Sequence, residues 1–351
     1  MRVGFDMAPL VVPHSRGVGR VCSGLVNALE KRGRMEVVRL SPSPETGLRR
    51  WRQVELPQLA KERELLGLHS FTSAFAVRGP GRRVQTVHEL PWLHGVKENA
   101  GWRHRAWARF GRLRADRVVT PTEHVARQLR RGSFGSADIR AVPWGVDTGG
   151  DDAPFAPDPP LHVIDEAVLE RHRLGDDPYL FVPGADRQKK NLAGVLHGLA
   201  ALKKRGEHRL RLVITGKDTP DLRRDLGLAT RLGLSRWLST LDEIEDADYP
   251  SLLRLAEAVC VLSHSEGFGL TVLEAMACGT PVIVPRESAQ AEVAGAAGFE
   301  CDASDEESVA EAIEEARRER HARMDTALAR AAELSWDRCA ESIETLWEEL
   351  A

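Results

Sequence analysis

The segment Ser263–Val284 carries residue types at a spacing that suits a diphosphate ligand. Glu266 opens a glycine-containing turn, Gly267–Gly269, and we expect a helix to begin near Leu270 and to carry Glu274 about one turn in. Backbone N–H groups and the positive dipole end at a helix start favour a diphosphate, and glycine lets a ligand approach closely. The glutamate in the helix is then placed to bind ribose hydroxyls. The alternative is a tight strand–helix turn with two solvated carboxylates.

A second segment, Pro183–Leu202, places three cations after a predicted strand and before a helix that should begin near Asn191. They are Arg187, Lys189 and Lys190. Doubly wound domains hold their ligands at the C-terminal ends of their strands. A lysine in that position can neutralise a diphosphate leaving group. A plain basic loop before a helix is the alternative.

The segment Ser15–Leu29 places Gly17 and Gly19 before a predicted helix. A dinucleotide fingerprint would need a third glycine where Cys22 stands, and the pair follows the first strand too late for a Rossmann phosphate turn. The pattern therefore favours a flexible glycine loop over a cleft.

His88 ends a predicted strand within the segment Val87–Leu90. A single histidine at a strand end can contact a ligand, and it can equally serve the structure alone. Both interpretations of this residue stay open at the level of the sequence.

Short β-branched runs alternate with longer helical patterns along the chain, which indicates an α/β protein with parallel sheets covered by helices. The predicted strands are Met1–Asp6, Val37–Leu40, Val84–His88, Arg117–Thr120, Ile139–Pro143, Tyr179–Pro183, Leu210–Gly216, Ala258–Ser263 and Thr280–Pro285. An Asp-, Pro- and Gly-rich segment, 147–160, suits an exposed linker. We therefore expect two Rossmann-like domains, 1–160 with the linker and 161–335, with the active site in the cleft between them. A last amphipathic helix, 336–351, should be capped by Ser335 or Asp337 and cross back toward the first domain.

Composition excludes several classes of function. The 351 residues carry a formal net charge of only −3, which argues against nucleic-acid capture as the main function. Five scattered cysteines with no CxxC pair indicate reduced thiols and a cytoplasmic protein. We find neither a signal-peptide pattern nor a run of apolar residues long enough to span a membrane, so we expect a soluble chain.

The two glutamates within EGFGLTVLEAMACGTPV resemble the signature of glycosyltransferase family 4, in particular its mannosyltransferase-like members. Further segments that resemble the family follow in its order along nearly the whole chain: GVGR, LHSFTSAF (68–75), TVHEL, LRADRVVTPTEHVARQL (113–129), VPWGVD (142–147), KKN, 233–259 and the final SW. This resemblance implies the GT-B fold, with an acceptor-side domain first and a donor-binding domain second. It also implies a retaining hexosyltransferase that uses a nucleotide diphosphate sugar and a glycan, lipid-linked or small-molecule hydroxyl acceptor, without a metal or other cofactor.

The resemblance implies a role for each matched position. Glu274 would bind the donor ribose, and Glu266 with the backbone of Gly267, Phe268 and Gly269 would hold the hydroxyls of the transferring sugar. The remaining matched positions would act on the diphosphate or the sugar: Leu270 and Thr271 through their N–H groups, Lys190 by neutralising the leaving diphosphate, His88 by contacting the donor sugar, and Gly17–Gly19 by closing over the phosphates.

The chain departs from the family pattern at two positions. Many members have an arginine five residues before the lysine, where this chain has Ala185, so Arg187 or Lys189 would have to supply the missing charge. Trp144 stands where the family commonly has asparagine. The first departure leaves open a non-catalytic sugar-nucleotide-binding protein, and a two-Rossmann sugar-nucleotide epimerase is a further alternative.

The sequence Asp246-Ala247-Asp248 matches a DxD metal motif. It precedes the helical pattern YPSLLRLAEAV, where aspartates commonly cap the helix start, so we expect capping rather than metal binding.

The stretch Lys97–Arg117 has seven basic residues against two acidic ones, interleaved with Trp102, Trp107 and Phe110. It could lie on an anionic membrane surface, which would place the protein peripherally at the inner membrane. It could equally be an amphipathic helix whose aromatic side chains enter the core.

Overall fold

The computed structural model describes residues 1–11, 16–147, 153–158 and 165–351. These residues form two compact units. The first unit comprises residues 1–145 and 334–351, and the second comprises residues 146–333. The last helix of the chain therefore belongs to the first unit.

A parallel six-stranded sheet forms the centre of the first unit as the structure describes it. Its strands are β1 (Arg2–Asp6), β2 (Glu36–Leu40), β3 (Gly67–Ser70), β4 (Arg82–Thr86), β5 (Arg117–Thr120) and β6 (Asp138–Ala141). Their order across the sheet is β2-β1-β3-β4-β5-β6, so the order reverses between β1 and β3. Asp6, at the end of β1, is buried and accepts hydrogen bonds from Trp51 Nε1 at 2.8 Å and from Arg52 Nε at 3.3 Å. These bonds attach the sheet to the helical segment that follows β2.

The helices of the first part of the chain are α1 (Arg16–Arg32), α2 (Leu48–Arg50), α3 (Leu56–Glu62), α4 (Trp102–Phe110) and α5 (Glu123–Gly132). A π-helical turn, Trp51–Glu55, joins α2 to α3. The side chain of Thr122 caps α5 by accepting a hydrogen bond from Val125 N. This helix follows β5 closely, as the crossover connection of a parallel sheet requires.

The second unit also contains a parallel six-stranded sheet within the described residues. Its strands are β7 (Tyr179–Val182), β8 (Arg211–Thr215), β9 (Leu238–Leu241), β10 (Ala258–Cys260), β11 (Val282–Pro285) and β12 (Gly298–Cys301). The order β12-β11-β10-β7-β8-β9 places β10 beside β7, although many residues separate them along the chain. The order of the strands reverses at this pair. In open α/β sheets such a reversal leaves a crevice at the carboxyl ends of the strands.

Both faces of this second sheet are covered, as the almost continuously apolar strand β7 requires. The helices of the unit are α6 (Asp165–Arg171), α7 (Leu192–Lys204), α8 (Pro220–Arg231), α9 (Tyr249–Arg254), α10 (Leu270–Ala277), α11 (Ala289–Ala294), α12 (Glu306–Arg318) and α13 (Arg320–Glu333). Leu180 and Val182 pack in one cluster with residues of α7, α8 and α12. Phe181, between them, faces the other way, with its ring 6.2 Å from the ring of Tyr249 at the start of α9.

A buried ion pair attaches α6 to α9. Arg254 donates to both carboxylate oxygens of Asp165, each at 2.8 Å, and both side chains are almost fully buried. The same guanidinium also donates to Ser251 Oγ at 3.3 Å and to the carbonyl oxygen of Pro154 at 2.9 Å. It therefore ties the segment 153–158 to the body of the second unit.

The chain ends in helix α14 (Trp336–Glu348), which packs against α1. Ser335 caps it by accepting a hydrogen bond from Arg338 N at 3.3 Å, which confirms the first of the two predicted caps. The Trp336 ring lies so close to Gly24 of α1 that a Cβ there would come within 2.4 Å of it. Arg32 of α1 also donates to Glu344 at 2.9 Å.

All nine predicted strands exist, but some ends differ and three strands were not predicted. β4 ends at Thr86 and β10 at Cys260, so His88 and Ser263 lie in the loops beyond them. The unpredicted strands are β3, β9 and β12. Among the described residues, no helix has both the length and the apolar character that a membrane crossing needs.

Candidate active site

The loops that follow the adjacent strands β7 and β10 meet at the carboxyl edge of the second sheet. Lys190 Nζ, in the first loop, donates to Glu266 Oε1, in the second, at 2.7 Å. The backbone joins the same loops, because His264 N donates to the carbonyl oxygen of Lys189 at 2.8 Å. Two residues that are 76 positions apart therefore form one charged pair at the point where the strand order reverses.

Local backbone geometry sets the position of the first loop. Gly184, just after β7, has φ of +67°, a conformation that favours glycine, and its N–H donates to Thr215 Oγ1 at 3.0 Å. A short 3-10 turn, Gln188–Lys190, follows. Asn191 then adopts φ of +54° and caps α7, its side chain accepting from Gly194 N at 3.2 Å. Asparagine is one of the few residues that suit both the left-handed conformation and the cap.

Arg187 lies beside Lys190 at the start of this turn. A Cβ built on Gly184 would lie 3.7 Å from Arg187 Nη2 and 3.9 Å from Lys190 Cε, so both cationic side chains approach the same glycine. Lys190 N also donates to the carbonyl oxygen of Arg187 at 2.9 Å. The buried Ala185, where many relatives have arginine, donates its N–H to Thr215 O at 2.7 Å and faces the core.

Glu266 is held as a carboxylate. Burial alone raises its pKa, but the charges of Lys190, Lys189 and Arg187 and the hydrogen bond from Lys190 outweigh that effect and lower the pKa to about 2. Ser263 Oγ donates to the same oxygen at 3.2 Å. The site therefore contains an ionised carboxylate surrounded by cations.

Helix α10 begins directly after this carboxylate. Gly267, Phe268 and Gly269 are buried, and Gly269 occupies the cap position with φ of +95°. Glycine has no side chain with which to cap the helix, and the first N–H groups of any helix lack intrahelical partners. Leu270 and Thr271, which carry those N–H groups, are half-buried. This end of the helix can receive an anion.

Glu274 lies one turn further along α10, and only 1% of it is exposed. This position agrees with the helix that the sequence predicted from Leu270 onward. The residue is therefore not one of two solvated carboxylates, and that alternative is wrong for Glu274. Its carboxylate lies inside the fold, on the same short helix as the cap at Gly269.

His88 lies two residues beyond β4, in the first unit. Its Nε2 is 2.8 Å from the carbonyl oxygen of Phe71, and since a carbonyl only accepts, Nε2 carries the proton and donates. Burial lowers the pKa of His88 more than this hydrogen bond raises it, so the ring is neutral at neutral pH. Nδ1 is then an acceptor. The ring also lies 5.7 Å from that of Trp144, the residue that replaces the common asparagine.

The sequence predicted that Gly17 and Gly19 form a loop before the first helix, but they do not. Helix α1 begins at Arg16, so both glycines belong to its first turn, where glycine is tolerated. A Cβ at Gly17 would meet no atom within 4 Å, and one at Gly19 would make only ordinary contacts with Leu10 and Pro9. Packing therefore does not require glycine at either position. Residues 12–15, which include the start of the predicted loop, lie outside the described residues.

The DxD-like motif does not cap helix α9. Asp248 occupies the cap position without a side-chain capping bond. Instead its buried carboxylate accepts hydrogen bonds from Arg171 and from His172 Nε2, the latter at 2.8 Å. These two partners, on and just after α6, compete successfully for the carboxylate. Within the part of the chain that the structure describes, no group of three His, Cys, Asp or Glu residues could hold a metal ion.

Ser263 and Thr215 also belong to this site, although their positions in the sequence did not predict it. Ser263 hydrogen-bonds the Glu266 carboxylate, and Thr215 fixes both Gly184 and Ala185. The first carries a usable signal, a hydroxyl residue three positions before the glutamate and just past a strand. The second ends β8, and only the pairing of β8 with β7 reveals its role.

Two family models together match most of the chain. One described as Glycosyl transferases group 1 matches residues 165–333, and one described as Glycosyltransferase Family 4 matches residues 15–149. D-inositol 3-phosphate glycosyltransferase of Corynebacterium jeikeium is 31% identical over 300 residues, which cover 77% of this chain and 69% of that protein. The chain belongs to the family 4 glycosyltransferases.

This glycosyltransferase is similar to several proteins over different lengths. O-antigen chain mannosyltransferase B of Escherichia coli is 30% identical over 178 residues, which cover 49% of this chain and 46% of the relative, about half its length. The crystal structure of Anabaena HepE in complex with UDP-glucose superposes with a TM-score of 0.74 at 16% identity and covers all of both chains. The family, the enzyme class and the GT-B fold that the sequence predicted are thereby confirmed.

Proposed function

We propose that this glycosyltransferase transfers a hexose-type sugar from a nucleoside diphosphate sugar to a hydroxyl acceptor, with retention of anomeric configuration and without a metal. The pairing of Lys190 with Glu266 beside the start of α10 carries the proposal. It places a cation, a carboxylate and a helix N-terminus at one point of the second sheet. The helix N-terminus suits a diphosphate, the carboxylate suits the hydroxyls of a sugar, and the cation suits the charge that develops when the bond between them breaks.

The diphosphate binds at the start of α10. The N–H groups of Leu270 and Thr271 and the positive end of the helix dipole favour the phosphate oxygens, and Gly269 lets them approach. Lys190 neutralises the charge that grows on the diphosphate as its bond to the sugar breaks. For Gly17 and Gly19, in the first unit, the family resemblance implies contact with phosphate, and a Cβ at Gly17 would meet no atom within 4 Å.

Arg187 supplies the second cation that Ala185 cannot. Its guanidinium and the Lys190 side chain approach the same backbone glycine, and both charges lower the pKa of Glu266. A guanidinium can bind two phosphate oxygens at once, so its charge is effective even from a different position in the loop. The departure from the family pattern at Ala185 therefore does not remove the second charge from the donor site.

The two glutamates divide the donor between them. Glu274, within α10, hydrogen-bonds the ribose hydroxyls of the nucleotide. Glu266, held ionised by the surrounding cations, accepts hydrogen bonds from hydroxyls of the transferring sugar and stabilises positive charge at the anomeric carbon. His88, in the first unit, is neutral with Nδ1 as an acceptor, so it can accept a hydrogen bond from a sugar hydroxyl, the role that the family resemblance implies.

Retention follows if the acceptor attacks from the face that the diphosphate leaves. The bond between the anomeric carbon and the diphosphate oxygen breaks, the bond to the acceptor oxygen forms, and the acceptor proton passes to the departing phosphate. Positioning and electrostatics then supply the rate enhancement. The donor class is supported by the HepE complex with UDP-glucose, and a mannose-type donor and a glycan acceptor by the O-antigen chain mannosyltransferase.

A panel of UDP-, GDP- and other nucleotide sugars, screened by thermal shift, tests the donor. A native-state ligand at a hundredfold excess over Kd raises the free energy of unfolding by about 2.7 kcal/mol, so one donor should stand out. Proton NMR of the product formed with that donor then reports the anomeric configuration, which should match the donor. A panel without a single stabilising nucleotide sugar, or a product of inverted configuration, would contradict the proposal.

A further inference from the structure

Four large apolar side chains lie exposed on α4 and the two segments next to it in the first unit. They belong to the outward side of α4, to the turn after it and to the loop after α5: Trp102 is 74% exposed, Leu113 59%, Phe134 51% and Phe110 48%. We call these four residues the apolar patch. Trp102 begins α4, Phe110 ends it, and Leu113 ends the 3-10 turn Gly111–Leu113 that follows directly.

Direct contacts connect the patch with arginines. The rings of Phe110 and Phe134 stack with their centroids 5.8 Å apart, and the Arg109 guanidinium lies 4.8 Å from the Phe134 centroid and 5.9 Å from that of Phe110. Phe134 N donates to the Arg109 carbonyl oxygen at 2.7 Å, which holds the two segments together. Arg103 lies over the Trp102 ring at 5.4 Å.

The fold already satisfies the inner side of α4 without these residues. Ala108 and Gly111 are buried, and a Cβ at Gly111 would come within 2.3 Å of the Gln85 side chain. Trp107 is half-buried, with its ring 5.6 Å from that of Phe75. Of the three aromatic residues that the sequence could place in the core, only Trp107 turns toward it.

Charge around the patch is strongly positive. The stretch Lys97–Arg117 has seven basic residues against two acidic ones. One of the two, Asp116, already accepts hydrogen bonds from Arg83 N at 2.8 Å and from Arg82 Nη1 at 3.3 Å, within the sheet. Arg109 and Arg103, in contrast, lie on the exposed rings and keep their charge at the surface.

We propose that the apolar patch and the arginines around it bind the surface of a lipid bilayer that contains anionic phospholipid. Exposed Trp and Phe side chains insert at the level of the headgroups, while guanidinium groups bind lipid phosphates. The patch combines exposed aromatic side chains with an excess of positive charge. An anionic interface matches both features. The proposal does not depend on the donor or on the reaction.

Sedimentation with vesicles tests this directly. The full chain is mixed with vesicles of phosphatidylcholine alone, or of phosphatidylcholine with about a quarter phosphatidylglycerol, a composition that gives the bilayer a negative surface potential. We expect binding to the anionic vesicles and little to the neutral ones. Arg103→Glu/Arg109→Glu should lower the partition coefficient more than tenfold, since each arginine near the surface contributes roughly fivefold.

The variant Trp102→Ser/Phe110→Ser/Phe134→Ser should also lose binding to the anionic vesicles, with its melting temperature kept because the three side chains are exposed. Two matched controls, Val54→Ser and Arg223→Glu, change an exposed apolar residue and an exposed arginine elsewhere and should bind like the unchanged chain. Equal binding by the patch variants, or none by the unchanged chain, would overturn the proposal. So would a self-associated chain that the serine variant converts to a monomer, because the patch would then be a protein interface.

Discussion

The second unit contains two ion pairs of similar length whose side chains are at most 15% exposed, Arg254–Asp165 and Lys190–Glu266. Arg254 and Asp165 form a two-pronged pair, and the same guanidinium holds Ser251 and the carbonyl of Pro154. Lys190 Nζ lies 2.7 Å from Glu266 Oε1, between two loops. Among the described residues, Glu266 is the side chain to which the Lys190 ammonium donates. All the nitrogen atoms of the Arg254 guanidinium donate hydrogen bonds. The pair with Glu266 uses one of the three N–H donors of the Lys190 ammonium.

This difference separates a structural pair from a functional one. A guanidinium in a fixed fork holds its carboxylate in one geometry, whereas an ammonium is a compact charge on a flexible chain that can move to a new partner. When a diphosphate binds, Lys190 can turn toward it without disturbing a helix. Arg254 cannot move without releasing α6. Burial of an ion pair is therefore a poor guide to its role, and the remaining partners of the cation are a better one.

The largest expected effect is on stability, at Arg254. Arg254→Met keeps the length of the side chain but leaves Asp165 buried without its charged partner. Removing one member of a buried pair costs about 3–5 kcal/mol, so the melting temperature should fall by many degrees. Differential scanning calorimetry on the full chain measures it.

Arg223 is the matched control for this variant, because its pair with Asp218 at 3.0 Å is exposed on both sides. Arg223→Met should change the free energy of unfolding by at most about 1 kcal/mol. The double variant Asp165→Leu/Arg254→Met should recover part of the loss, since no unpaired charge remains buried. If Arg254→Met melts like the unchanged chain, the pair is not structural.

The next largest effect is on catalysis, at Lys190. Lys190→Ala should lower kcat roughly a hundredfold or more, because loss of charge stabilisation in the transition state costs about 3 kcal/mol. The melting temperature should fall less than in Arg254→Met, because the charges of Lys189 and Arg187 still compensate the Glu266 carboxylate when Lys190 is removed. Steady-state kinetics and a thermal melt on the same preparation separate the two quantities.

Lys217 provides the control for Lys190. It follows the neighbouring strand β8 and pairs with Glu243 at 2.9 Å, but it is 65% exposed. Lys217→Ala should keep both kcat and stability. A Lys190→Ala enzyme with near-native turnover would place the leaving-group charge elsewhere, with Arg187 as the first residue to examine.

A smaller effect should separate the two glutamates. The contacts that we propose between Glu274 and the ribose would exist equally in the ground and transition states, so Glu274→Ala should raise the donor KM more than it lowers kcat. The contacts that we propose for Glu266 would strengthen as charge develops, so Glu266→Gln should lower kcat with less effect on KM. Each loss should be about 1.5–3 kcal/mol for one charged hydrogen bond.

Calorimetry with the bare nucleoside diphosphate provides an independent test of the roles of the two glutamates. Glu274→Ala should weaken its binding, and Glu266→Gln should scarcely change it. If the affinity for the bare nucleotide falls in Glu266→Gln and is unchanged in Glu274→Ala, the donor lies in the opposite direction in the site.

Much of the fold could be predicted from the sequence, and the three missed strands have a common physical cause. β3, β9 and β12 read GLHS, LSTL and GFEC, four residues each, with glycine or small polar side chains where the other strands have β-branched runs. Pairing with a neighbouring strand makes them strands. At Gly67, for example, a Cβ would come within 2.3 Å of the Arg82 carbonyl oxygen in β4.

The site was predicted residue by residue but not as an arrangement. Phosphate-binding character at Leu270 and at Lys190 could be recognised because each motif is local. Their meeting could not, since it depends on β7 lying next to β10 across the sheet. The same limit explains why the prediction for Asp248 was wrong. Its position before a helix predicted a cap, but Arg171 and His172, more than seventy positions away, determine where its carboxylate lies.

The smallest expected effect is that of removing divalent metal, and it depends on this third carboxylate. Burial raises the pKa of Asp248, but hydrogen bonds from Arg171 and His172 and their charges outweigh it and lower the pKa. The carboxylate is therefore ionised and already accepts hydrogen bonds from Arg171 and from the His172 ring, and a metal ion would have to displace both. We expect the initial rate of transfer to be the same with EDTA as with added Mg²⁺ or Mn²⁺.

Asp248→Asn should lower the melting temperature without creating or removing any dependence on metal, because its role is structural. A rate that disappears in EDTA and returns with Mn²⁺ would show that Asp248 belongs with the functional carboxylate of Glu266 rather than with the structural one of Asp165.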